Sequence, residues 1–348
     1  MSPLVLSTLL SSLALGTMIT ASSHHWLLAW MGLEINTLAI IPLMAKMHHP
    51  RAIEATTKYF ITQAAASAMI LFSSITNAWA TGEWDIMNLT SHLSTTTMLM
   101  AILMKLGVAP FHFWLPEVLQ GIDLTTGLIL STWQKLAPMI LLLQISTSLN
   151  PQLLFTAGII STVIGGWGGL NQTQLRKILA YSSIAHLGWM MAALTISPQL
   201  TALNLIIYII MTTAVFLTLK MLSSTKISTL SSSWQKTPTL AAMFTLMLLS
   251  MGGLPPLTGF MPKWLILQEM TKQSATVLAT MMALSALLSL FFYIRLAYAL
   301  TLTTHPNMTH STQLWRFSTT QPKLLLTASA MTSVTLLPTT PLLLSIMP

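Results

Sequence analysis

Apolar stretches of about 20 residues, the length that crosses a ~30 Å hydrocarbon core, recur from one end of this chain to the other. Eleven can be counted, near 3–21, 26–45, 58–80, 93–113, 124–146, 151–170, 175–196, 199–222, 238–268, 274–301 and 323–346. No region remains for a soluble domain, and the longest connections lie near 223–237 and 302–322. Charge agrees with the count: only 6% of residues are charged, against roughly 25% in an ordinary soluble domain. A soluble enzyme is excluded because so few charges cannot coat a globule that is 53% hydrophobic. A disordered chain is excluded because it needs low hydrophobicity and high charge. With no cysteine, disulfides, thiolate-held iron–sulfur clusters, Cys-type zinc sites and c-type haem attachment are excluded as well. The sequence predicts an all-α polytopic membrane protein, a single transmembrane domain over 1–348.

The net charge of +8 suggests a nucleic-acid partner only until the charges are placed. Loops after the second, fourth, sixth, eighth and tenth spans share one face. They carry Lys46, Arg51, Lys58, Arg176, Lys177, Lys220, Lys226, Lys236, Arg316 and Lys323. The other face has Lys272 and the acidic pair Glu83 and Asp85. By the positive-inside rule the basic face is the cytoplasm-like or matrix side, so the N-terminus is expected inside and the C-terminus outside. No Lys or Arg precedes Lys46, so neither a secretory signal nor an Arg-rich import presequence is expected.

Two spans are interrupted. The fourth runs through KLGVAPFHFWLPE with Gly107, Pro110 and Pro116, and the ninth through MGGLPPLTGFMPKW with Gly252, Gly253, Pro255, Pro256, Gly259 and Pro262. Proline removes a backbone donor and clashes with the preceding turn. The freed polar groups cannot face lipid, so they must face protein or water. The breaks are five spans apart, and an odd offset turns the second five-helix unit upside-down. The expected organisation is two inverted five-helix repeats, 3–146 and 151–301, each with a broken helix, and a final C-terminal helix at 323–346. Paired broken helices in an inverted repeat point to an ion or substrate path near the midplane.

Several ionisable residues lie within the spans: Glu34, Lys105, Lys135, Lys263, Arg295, His112 and His186. Each charge at the bilayer centre costs ~3 kcal/mol or more, so each needs a reason. One reading is a row of titratable groups joined by water; burial disfavours a lysine's charged form and a nearby carboxylate favours it, so a lysine between the two can load and release a proton. The alternatives are a structural ion pair for Glu34, snorkelling for Lys263 and Arg295, and hydrogen-bonded core positions for His112 and His186. Two charges about 10 Å apart at an effective dielectric of about 20 interact by roughly 1.7 kcal/mol. Moving one charge through the membrane potential costs about 2.3 kcal/mol per 100 mV, so several coupled groups are required.

Other motifs are weaker. GGWGGL places Gly165 and Gly169 at a helix-packing interval. Neither GxGxxG nor a P-loop occurs, so no nucleotide site is expected. His24-His25 and His48-His49 stand at span ends without acidic or thiolate partners at ligand spacing, so no metal site is expected. Sequons at Asn88, Asn171 and Asn307 include only Asn88 on the outer side.

Four segments carry a resemblance: KLGVAPFHFWLPEVLQG at 105–121, TWQKLAP at 132–138, NQTQLRKILAYSSIAHLGWM at 171–190 and GGLPPLTGFMPKW at 252–264. Together they resemble the antiporter-like proton-translocating membrane subunits of respiratory complex I, the NADH:ubiquinone oxidoreductase, which are related to multisubunit cation/proton antiporters. The resemblance covers essentially the whole chain. Fuller members have fourteen helices, so this chain is expected to lack three at its N-terminus, as in animal mitochondria. The resemblance implies that Glu34 tunes the first lysine, that Lys105 is the central proton carrier and that Lys135 is a connecting lysine. It places Lys263 toward the exit, where some members have Glu, and His112 and His186 on the hydrated axis. It implies no cofactor in this chain, with NADH, FMN, iron–sulfur clusters and ubiquinone handled by other subunits. Implied partners are other membrane-arm subunits, including the neighbouring antiporter-like subunit 4 and subunit 4L, accessory subunits and membrane lipids, with no nucleic acid. The implied location is the mitochondrial inner membrane.

The function expected is proton translocation from matrix to intermembrane space, coupled to quinone reduction elsewhere in the complex. Two other readings stand beside it: a freestanding cation/proton antiporter of the same fold, and a membrane scaffold whose lysines serve structural ion pairs only.

Overall fold

Lipid offers no partner to an exposed amide or carbonyl, so a chain this apolar must close its backbone hydrogen bonds within each segment, as a helix does. The computed structural model describes residues 2–302 and 324–342, which are helical almost throughout, with isolated bridges in place of strands. Contacts divide the chain into two units, Met1–Ser161 and Thr162–Pro348. The first holds α1 (Pro3–Ser22), α2 (Trp26–Met44), α3 (Pro50–Thr81), α4 (His92–Leu106), α5 (Trp114–Gly121) and α6 (Leu124–Gln144). Helix α7 (Pro151–Leu170) begins in the first unit and ends in the second. The second unit continues with α8 (Leu175–Ile196), α9 (Pro198–Leu222), α10 (Ile227–Ser231), α11 (Ser233–Lys236), α12 (Pro238–Gly252), α13 (Phe260–Lys272), α14 (Thr276–Thr301) and α15 (Leu324–Thr335).

Among the described residues, eight helices are each long and apolar enough to cross a membrane: α1, α2, α3, α6, α7, α8, α9 and α14. The ninth expected span is a pair of half-helices, α12 with α13; the fourth, expected at 93–113, ends its helix at Leu106, and its second half-helix, α5, starts only at Trp114, beyond the expected bound. The expected final span is shorter than its apolar run: α15 stops at Thr335 and a 3-10 turn follows at Leu337–Thr339. Its remainder at 343–346, together with Asn307, Arg316 and Lys323, lies outside the described residues.

The third helix starts earlier than hydropathy suggests. Pro50 takes the first helical position and His49 Nδ1 accepts from the Arg51 amide at 3.2 Å, which caps a polar first stretch containing Arg51, Glu54 and Lys58. His25 does the same for α2, accepting from the Leu27 amide at 3.2 Å while its ring stacks on Trp84. These caps give the interfacial histidines a structural role.

In the first unit α2 packs on α1, α3 and α6, and α3 packs on α4 and α5. In the second, α9 packs on α8, α12, α13 and α15. Polar hydroxyls survive in lipid-facing helices by bonding to their own backbone: Ser7 donates to the Leu4 carbonyl at 2.7 Å and Thr8 to that of Val5 at 2.9 Å. Glycines set the closest crossings. A Cβ on Gly16 would lie 2.9 Å from the Gly32 carbonyl oxygen, and one on Gly32 would lie 2.8 Å from that of Gly16, so α1 and α2 touch backbone to backbone. Gly165 and Gly169 act as helix-packing positions: their Cβ atoms would lie 2.6 Å from the Ala185 amide and 2.7 Å from the Phe292 ring.

Candidate functional site

Ending a helix inside the membrane leaves carbonyls that need donors. At the first break, Gly107 adopts φ 75°. Its amide donates to Leu103 and Met104 carbonyls at 3.0 and 3.2 Å, and the Val108 amide donates to Leu103 at 3.0 Å. This is a Schellman cap, which needs a residue free of Cβ strain at the left-handed position. Two side chains complete the work: the indole of Trp114 donates to the Met104 carbonyl at 3.1 Å, and Gln63 donates to the Lys105 carbonyl at 3.3 Å.

The second break repeats this backbone. Gly253 (φ 80°) donates to Leu249 and Ser250 carbonyls at 3.2 and 3.0 Å, and Leu254 donates to Leu249 at 3.3 Å. Pro110 and Pro256 follow cis peptide bonds, the latter after Pro255. Here the extra donor is charged: Lys263 Nζ reaches back across the break to the Gly252 carbonyl at 2.9 Å. The loop is also fastened to α15, with the Thr258 hydroxyl donating to the Ser333 carbonyl.

The structure brings Lys105 and Lys135 together. Both are buried, at 6% and 3% exposure, and both line one cavity of about 20 Å³ with Asn36, Tyr59, Gln63 and Gln134. Lys105 Nζ has no hydrogen-bond partner. Glu34 is half-buried on α2; its carboxylate accepts from Thr37 at 2.8 Å, and its charge acts on both Lys105 and Tyr59. Helix α6 continues through Pro138, which keeps Lys135 on a regular helix.

His112 is buried at the first break, its ring 4.3 Å from that of Phe113, and its Nδ1 has no partner. It does not line the lysine cavity. His186 is buried on α8 with its ring 5.5 Å from Tyr208 of α9, whose hydroxyl bonds to Ser183. Arg295 is exposed and its guanidinium donates to the Leu170 carbonyl at the end of α7, where a cation also meets the negative end of the helix. Below the first break, Lys58 bridges Glu54 and Glu117 at 2.7 Å each, tying α5 to α3. Among the described residues no three of His, Cys, Asp and Glu come together.

Sequence reasoning singled out the charged and imidazole groups and missed the neutral polar ones, Asn36, Gln63 and Gln134. A signal existed: each interrupts an apolar span, and Asn36 and Gln134 stand beside Glu34 and Lys135 in GLEINTL and TWQKLAP.

Chemically, the first unit holds an amine free of partners, a second buried lysine, a nearby carboxylate and a water-sized polar space. Such groups can hand on protons directly or through one water. Lys263 is arranged differently, since its amine already holds a carbonyl. Lys263→Met is expected to destabilise the second break by about 2 kcal/mol, the scale of a hydrogen bond from a charged donor. Lys263→Arg, which keeps a donor, should retain most of the thermal stability of the purified assembly.

Comparisons with known proteins show the family of this chain. The family described as NADH:quinone oxidoreductase/Mrp antiporter, TM, matches residues 23–289, and that described as NADH dehydrogenase subunit 2 C-terminus matches residues 290–344. NADH-ubiquinone oxidoreductase chain 2 of Xenopus laevis is 64% identical over 345 residues, covering 99% of this chain and 100% of that protein. The protein of the same name from Danio rerio is 63% identical over 344 residues, with 99% of each covered. Among solved structures, a chain of respiratory complex I from Thermus thermophilus with bound aureothin superposes with a TM-score of 0.86 at 28% identity, covering 97% of this chain and 78% of that one. A chain of the Mrp complex from a Dietzia species gives a TM-score of 0.84 at 16% identity, over 97% and 75%, a likeness of fold.

Proposed function

This chain belongs to the family of NADH:quinone oxidoreductase and Mrp antiporter transmembrane subunits, and from that premise we propose that Lys105 and Lys135 carry protons through its first unit. The chain is a proton-translocating membrane subunit of complex I, a multi-pass component of the mitochondrial respiratory chain. The observation that carries the proposal is the Lys105 amine, buried, unpartnered and sharing a water-sized cavity with Lys135. Protons pass from matrix to intermembrane space through a relay that joins Glu34, Lys105 and Lys135 to His112, His186 and Lys263. The repeat organisation is 3–146 and an inverted 151–301, with 323–346 as the final helix. The matched caps at Gly107 and Gly253 support it.

The N-terminus lies on the matrix side and the C-terminus on the intermembrane-space side, as the basic residues of alternate loops favour. Redox chemistry stays with other subunits, and the absence of cysteine agrees with that division. Neighbours in the membrane arm are the antiporter-like subunit 4, subunit 4L and accessory subunits.

One observation favours a scaffold role for part of the relay: Lys263 is engaged by the Gly252 carbonyl. Assembly is tested on a native gel of mild-detergent extracts. The chain is expected in a high-mass band with NADH-oxidising activity, and migration apart from that activity would favour a freestanding antiporter.

A further inference from the structure

Asn36 is the polar group that the relay leaves unexplained. It is 2% exposed, midway along α2, and neither Nδ2 nor Oδ1 of its amide has a hydrogen-bond partner. Buried polar groups in folded proteins are satisfied as a rule, and an orphan requires a reason. Lys105 Nζ is orphaned in the same way, and the two residues line the same cavity of about 20 Å³. A polar cavity of more than about 10–15 Å³ with several polar partners is large enough for a water.

We infer that this cavity binds a water molecule held between the Asn36 amide and the Lys105 amine, so that Asn36 positions the proton-carrying group. The inference rests on Lys105 being such a group. An amide suits this place because it both donates and accepts. When Lys105 is protonated, its ammonium donates to the water and the water donates to Asn36 Oδ1. When Lys105 is neutral, Asn36 Nδ2 donates to the water and the water donates to the amine lone pair. A carboxylate could also accept from the water in either state, but it would add a second charge beside the amine, whereas the amide bridges without one.

The surrounding structure holds Asn36 by its backbone and packs against its side chain. Gln134 Nε2 donates to the Asn36 backbone carbonyl at 3.1 Å, joining α6 to α2. On the other side a Cβ at Gly16 would lie 2.5 Å from Asn36 Oδ1, so the bare backbone of α1 is what leaves room for the amide. Helix α1, otherwise mostly exposed, thereby packs against the Asn36 amide without itself lining the cavity.

The test uses the assembled complex. A density map that shows ordered solvent should contain a peak within hydrogen-bond distance of both Asn36 and Lys105 Nζ. Two variants separate positioning from packing. Asn36→Leu keeps the branching and removes both polar atoms; Asn36→Ser replaces the amide with a smaller hydroxyl, which also donates and accepts, and opens space for a second water. Pumping turnover should fall roughly tenfold in Asn36→Leu, the scale of one lost hydrogen bond to a charged group, and be largely retained in Asn36→Ser. A residue that only fills space would give the opposite order. An empty map, or Leu tolerated as well as Ser, overturns the inference. If Asn36→Leu fails to assemble, the map and Asn36→Ser decide. Lys105→Met measured in parallel separates the two readings: normal pumping there removes the relay itself, whereas loss there with normal pumping in Asn36→Leu removes only the water.

Discussion

Lys105→Met is expected to lower the protons pumped per electron pair while the complex still assembles and oxidises NADH. Methionine is unbranched and similar in length, and the site is apolar enough to bury it. The amine it replaces makes no hydrogen bond, so the fold loses no partner. Glu34, whose charge acts on Lys105, is only half-buried and keeps its bond from Thr37, so removing the amine leaves no fully buried charge alone. The cap at Gly107 uses only backbone, Trp114 and Gln63 and is untouched. The loss therefore falls on the charge. Lower stoichiometry with continuing electron transfer makes Lys105 a carrier in a separable channel. A joint fall of both means the site is tied to the redox step. Unchanged values for both sink the relay at its central residue and leave the scaffold reading ahead. Assembly is confirmed first on a native gel, so that a missing complex is not mistaken for a blocked path.

The largest structural effect is expected from Gly259→Ala. A Cβ there would lie 1.7 Å from the Ser250 carbonyl oxygen, backbone against side chain, with Met211 Sδ at 3.2 Å behind it. That oxygen belongs to the helix end that the second break has just capped, so it cannot withdraw without undoing the Gly253 bond. Overpacking of this kind costs at least ~3 kcal/mol, enough to deplete the assembled complex. Gly82→Ala is the control. Gly82 also has a positive φ of 78°, but nothing lies within 4 Å of its Cβ position. Only the left-handed conformation is strained, at about 1–2 kcal/mol. Blotting for the assembled complex should show near-complete loss for Gly259→Ala and a modest decrease for Gly82→Ala; equal levels would refute the steric argument.

These cases show what a sequence of this kind discloses. Spans are legible because lipid demands some 20 apolar residues, and breaks are legible because Gly and Pro cannot continue a helix. Lys105 and Lys135 stand out because charge is rare in apolar runs. Partners are not legible. That Lys263 would grip the Gly252 carbonyl depends on side-chain reach across a turn, which spacing alone does not encode. Asn36 was overlooked for a different reason: an uncharged amide in an apolar span carries no charge to demand a partner, and its importance arises only when α1 and α6 close around it. The early start of α3 was hidden because the cap at His49 is polar and reads as loop.

The two breaks share a corner of the same backbone but not of the same side chains. Leu106 and Trp114 stand as far apart as Gly252 and Phe260, and that register sets Lys105 against Met251, His112 against Thr258 and Glu117 against Lys263. A corner whose shape comes from glycine and main-chain bonds is indifferent to which residues it displays. Two such corners in one chain can divide the work, one displaying an amine without a hydrogen-bond partner at Lys105 and the other a brace at Lys263. Innovation in such a chain then proceeds by repopulating a fixed frame, without the frame having to be reinvented.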